Sequence, residues 1–128
     1  MAKLKTYTLG NQGFINNHVR DALGLPSHIR QARVIAVAAT KAAAVQVLAD
    51  HGFPNHSIRD SEFRQGMGND IDALEAAGQI AAPGVLVTSM SFGGSLPVVR
   101  MQSGGVPVRI GRLVALDGFR YRFEVEAR

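Results

Sequence analysis

Apolar residues recur along the chain first at a period near two, then near three and a half, and the switches between these periods lay out its elements. Residues 3–9, KLKTYTL, set Leu4, Tyr7 and Leu9 among lysines and threonines. This predicts a first strand, placed at a sheet edge because lysine blunts exposed edges. Asn11-Gln12-Gly13 predicts a turn. Phe14, Ile15, Val19, Ala22 and Leu23 then fall at helical spacing, with His18, Arg20 and Asp21 on the other side. Gly24 suits the left-handed position that closes a helix, and Pro26 prevents continuation. Residues 32–39, ARVIAVAA, are nearly all apolar, which predicts a strand covered on both faces.

Thr40 follows as an N-cap, and Ala42, Val45, Leu48 and Ala49 predict the apolar stripe of a helix ending at Gly52. Residues 54–68 give no clean period; Ile58, Phe63 and Met67 predict anchors of a short helix or an ordered loop. Asn69 suits an N-cap with Asp72 returning a bond at N3, and Ile71, Leu74 and Ala77 predict a stripe closed by Gly78. The rest alternates: VLVTSM, LPVVRM (96–101) and VPVRIGRLVAL (106–116) read as strands separated by glycine turns. Asp117-Gly118 predicts a two-residue type I′ hairpin turn. That turn sets Leu116 opposite Phe119, Val114 opposite Tyr121 and Arg112 opposite Phe123. Phe119, Tyr121, Phe123 and Val125 then share one face; Arg120, Arg122, Glu124 and Glu126 share the other. The expected fold is a single α+β domain over residues 1–128, a mixed β-sheet with helices packed on it and a C-terminal antiparallel meander.

Composition supports a folded chain. Of 128 residues, 46% are hydrophobic and 19% charged, enough apolar area to offset chain entropy in one core. There is no cysteine, so disulfides, thiolate metal sites and cysteine nucleophiles are excluded, and a reducing cytoplasm is the expected setting. The start carries no signal-peptide apolar core, and no run approaches the roughly 20 apolar residues of a membrane helix. The net charge is +4 with a pI near 10.1; eleven of the fourteen basic residues are arginine, a bias expected of a GC-rich genome.

Candidate chemistry is sparse. Thr40-Lys41 stands at a strand-to-helix turn, where backbone amides attract anions, but the glycines of a phosphate cradle are missing. Gly66-Met67-Gly68 precedes a helix without a strand before it, so it reads as a loop. Ser89-Met90-Ser91-Phe92-Gly93 is followed by a strand where a nucleophile elbow needs a helix. His18, His28, His51 and His56 have no metal-ligand spacing, and no carboxylates pair for acid–base work. Arg109, Arg112, Arg120 and Arg122, beside aromatics, are the candidate contacts to a nucleic-acid backbone, diluted by Glu124 and Glu126.

Three segments together resemble small uncharacterised proteins encoded by actinobacterial phages: Ala39-Thr40-Lys41-Ala42-Ala43-Ala44, Asn69-Asp70-Ile71-Asp72-Ala73-Leu74 and Ala82-Pro83-Gly84-Val85. The resemblance covers residues 32–90; the longer four-stranded end departs from the shorter members. It implies a small accessory protein made in an infected cell and carries over no catalytic residue. The expected function is therefore a non-enzymatic protein, without cofactor or metal, that binds another protein such as a host factor or self-associates as a homo-oligomer through an exposed strand edge. The second reading is nucleic-acid binding through the C-terminal hairpin, and the third is a small anion or nucleotide held at Thr40 and Lys41.

Overall fold

The computed structural model describes residues 4–9, 13–28, 31–53, 58–60, 69–88, 95–116 and 121–125. Eight strands and three helices are described: β1 (Lys5–Leu9), β2 (Gly13–Phe14), α1 (Asn17–Leu23), β3 (Gln31–Ala38), α2 (Lys41–Asp50), β4 (Ile58–Asp60), α3 (Asn69–Ala76), β5 (Gly84–Thr88), β6 (Ser95–Gln102), β7 (Val106–Ala115) and β8 (Tyr121–Val125). One sheet carries them in the order β4-β1-β3-β5-β6-β7-β8, with β2 added to the end of β3. The α+β class and the four-stranded C-terminal meander are as expected.

The sheet is not mixed: every described pairing is antiparallel. A parallel neighbour requires a connection that runs back along the full strand. At about 1.5 Å per residue α1 covers only some 10 Å, against some 26 Å for β3, so β1 and β3 meet antiparallel. The chain instead uses α2 to carry β3 past β1 to β4, which lies beyond it. Residues 58–60 thus form a strand, not part of a helix or loop, and β4 takes the edge expected of β1. A three-residue strand has too little sequence to show a period. Phe63 and Met67 lie outside the described residues.

β3 is the centre of the molecule. Residues 32–38 are all buried, with Ala32, Val34, Ala36 and Ala38 facing α1 and α2, and Ile35 facing α3. The first core joins those residues to Val19, Leu23, Ala44, Leu48, Phe53, Val85, Val87 and Val99. The second joins Ile35 to Leu74, Leu86, Leu96, Val98 and Leu113, with Tyr121 and Phe123 packed at its margin. β8 lies four strand spacings from β3, about 19 Å in a flat sheet, so shared membership of that core shows a sheet curled around α3. Complete burial of a side chain such as Leu48 or Leu74 contributes about 2 kcal/mol.

All three helices end alike. The Gly24, Gly52 and Gly78 amides each bond a carbonyl three residues back, and the next residue bonds one five back, as in Phe53 N to Leu48 O at 2.9 Å. The glycines sit at φ 71°, 79° and 76°, where a side chain is strained. The start of α2 is as expected, with Thr40 as its N-cap, and the other two differ. α1 begins at Asn17, capped by Asn16, whose Oδ1 accepts from Val19 N at 2.9 Å, because Phe14 is held in β2 by pairing with Gln31. α3 includes Asn69, so Asn69 is a helical residue and not the N-cap; the residues before it lie outside the described ones. α2 buries Ala44 and Leu48 with Val47 beside them, leaving Ala42 and Ala49 exposed. Alanines on every side of this helix leave its sequence without a distinct apolar phase. In α3 Ala73 and Leu74 are buried, and Ala77, just past its end, is exposed.

The hairpin register also departs from the predicted one. Ala115 pairs with Tyr121, Leu113 with Phe123 and Arg112 with Glu124. This is one residue away from the two-residue Asp117-Gly118 geometry; the turn itself lies outside the described residues. The physical reason is packing: the predicted register sets Arg112 beside Phe123 on the core face, whereas the observed one sets Leu113 there and sends both charges outward.

Candidate functional site

The predicted residues fall in two places. At the β3–α2 turn, Thr40 Oγ1 accepts from Ala43 N at 3.1 Å, so the hydroxyl caps the helix; Lys41 is exposed at its first turn. No described ligand group converges there. Among the described residues no group of three metal-ligating side chains occurs, and no helix is long and apolar enough to cross a membrane.

The second place is the β7–β8 hairpin. β6 and β7 slip by one residue between Val98 and Val99, which leaves Ile110 as the extra residue of a bulge. Arg109 lies opposite Val99 and Arg112 opposite Pro97, so the bulge brings two arginines an odd distance apart onto the same face. Arg122 lies on that face as well, opposite Val114. Arg109, Arg112 and Arg122 are exposed, and Arg120 lies outside the described residues. Glu124 sits between two of them: Arg112 Nη2 donates to Oε1 at 3.2 Å and Arg122 Nη2 donates to Oε2. Hydrogen bonds from Arg122 first and Arg112 second hold the Glu124 carboxyl below its usual range.

Gly111 and Phe123 fix how the two strands meet. A Cβ at Gly111 would lie 2.7 and 2.9 Å from Phe123 ring carbons and inside contact of the Glu124 carbonyl oxygen. The absent side chain lets the aromatic ring lie over the β7 backbone, and the ring then faces the α3 core. Among the described residues β8 pairs only with β7, so its outer edge ends the sheet. Val125 on that strand is 73% exposed and Leu116, near the turn, 41%. An exposed edge with apolar side chains offers a template for another strand.

The other polar groups of note are buried or half-buried, and of these sequence reading had counted only Arg100, among the C-terminal arginines. Arg33 on β3 lies directly opposite Thr88 on β5, and Thr6 and Thr8 follow on β1 across the same face. Thr88 is fully buried, and among the described residues its hydroxyl has no hydrogen-bond partner. The available signal was Arg33 itself, a charge inside the apolar run 32–39. Arg100 is half-buried on β6; its Nη2 donates to Gln79 O and Oε1, both at 2.9 Å, tying the end of α3 to the sheet. Partial burial lowers its pKa from the ordinary arginine value. His18 lies on α1 and His51 follows the end of α2, and His56 is outside the described residues. The candidate catalytic and cradle motifs at 66–68 and 89–93 are outside them too.

A scan of protein-family models, a search of curated proteins and a search of solved structures return no match to this chain.

Proposed function

We propose that this chain is a non-enzymatic binding protein that takes a polypeptide, another protein or a second copy of itself, onto the outer edge of β8. The observation that carries the reading is that, among the described residues, β8 ends the sheet with Val125 73% exposed. Main-chain groups of an edge supply affinity without a pocket, and the outward side chains supply selectivity. Within the same proposal we put this activity in the cytoplasm of an infected cell, an extension that rests on the sequence resemblance of residues 32–90 to small actinobacterial phage proteins.

A second reading has its own support. The bulge at Ile110 aligns Arg109, Arg112 and Arg122 on one face, an arrangement that suits a nucleic-acid backbone. One experiment separates the two. The tagged full chain is used to capture ligands from lysate and to capture an untagged copy, with and without nuclease, for the wild type and Val125→Lys. A nuclease-insensitive polypeptide lost in Val125→Lys is the expected result. Capture that vanishes with nuclease and weakens steeply with salt assigns the arginine face to nucleic acid instead. Recovery of nothing, or of a polypeptide indifferent to the substitution, overturns the edge reading.

A further inference from the structure

The residues of β8 read Tyr121-Arg122-Phe123-Glu124-Val125, and their order around Phe123 is complementary to itself when reversed. We propose that β8 pairs antiparallel with β8 of a second copy about a two-fold axis through Phe123, extending the sheet across two chains. This rests on the edge reading above and names the partner.

The register follows from charge and from the pleat. With Phe123 opposite Phe123, Arg122 of each copy stands opposite Glu124 of the other, and Tyr121 stands opposite Val125. Two attractive charge pairs then lie on the outer face. On the α3 face, the most exposed apolar side chain of the described residues meets an aromatic ring. The competing symmetric registers fail: centring on Arg122 sets the two guanidinium groups against each other, and centring on Glu124 does the same for the carboxylates. A slip by one residue sets Arg122 opposite Phe123 and breaks the common apolar face. Glu124 is held ionised by Arg122 and Arg112 of its own chain, so the acidic member of each pair is charged before the copies meet. Arg112 stays on β7, one strand in from the junction, and keeps its bond to Glu124. The contact is one short strand per copy, so the dimer is weak and exchanges.

Sedimentation velocity tests this on the full chain between about 5 and 500 µM. The wild type is expected to pass from monomer to dimer across that range. Arg122→Glu gives an all-acidic edge and Glu124→Arg an all-basic one; each alone is expected to weaken dimerisation about tenfold or more. Mixed in equal amounts, the two variants are expected to form a heterodimer, since the acidic edge of one meets the basic edge of the other. A folding defect in either variant cannot produce that rescue, and circular dichroism checks that both are folded. A wild type that stays monomeric throughout, a dimer indifferent to both reversals, or a mixture that stays monomeric overturns the proposal. If the wild type is monomeric yet captures another polypeptide through β8, the edge reading stands and self-pairing falls.

Discussion

Among the described glycines, Gly111 has the least room for an added side chain. Its missing Cβ is what allows Phe123 to cross the β7 backbone, and a methyl group there would overlap both the ring and the Glu124 carbonyl. Gly111→Ala must push β8 away from β7 or force Phe123 off the α3 core. Overpacking of this kind costs about 3 kcal/mol, expected as a lower denaturation midpoint with an unchanged slope in urea. Gly52→Ala is a different case: no atom lies within 4 Å of the added methyl, and the strain comes from the backbone at φ 79° alone. Both effects belong to single positions, but only the second was visible in the sequence. A glycine after an amphipathic run announces a helix end by local chemistry, whereas a glycine under a distant aromatic is defined by its neighbours on another strand. Arg33 was hidden for a related reason. One charge in an apolar strand reads as a tolerated exception until the opposing strand shows it facing a buried threonine.

Among the elements, the C-terminal hairpin shows how sequence legibility fails and why. The strands, their alternation and the outward charges were all readable, because each depends on residues close in the chain. The register was not, because Asp117-Gly118 describes a turn that competes with the packing of Leu113 against Phe123. The match of Arg112 with Glu124 across the strands was the sequence clue that favoured packing. The buried face of α2 and the strand β4 were indistinct for other reasons, the helix having alanine on every face and the strand being too short to repeat. The same hairpin carries a pH dependence. Glu124 has its folded pKa lowered, so its contribution to stability is present above the unfolded carboxylate range near 4.3 and is lost as pH falls through the folded value. Thermal melts should show the wild type losing its advantage over Glu124→Gln as pH drops below about 4, with the difference constant between about pH 6 and 8. The ion pairs are exposed, so high salt should shrink the difference.

Across the whole molecule, one sheet is shared by two cores, and the curl around α3 brings β3 and β8 into the same apolar cluster. The two halves of that sheet differ in how far apart in the chain their partners lie. β5 through β8 follow one another, and β6 and β7 are joined by a three-residue 3₁₀ turn, Ser103–Gly105. The pairing of β3 with β5 joins residues about 50 positions apart, such as Arg33 with Thr88. Neighbours in sequence close small loops at low entropic cost, so the C-terminal meander is expected to gain hydrogen-exchange protection first during refolding, and β1 and β3 later. Early protection of β3 with an unprotected β6–β8 would contradict this order. During the interval the five-residue β5 edge awaiting β3 is open beside the β8 edge, where the folded sheet ends on that side with the three-residue β4 instead. Aggregation on refolding should therefore rise with concentration through the β5 border, a hazard that closes when β3 docks and that the native protein does not share.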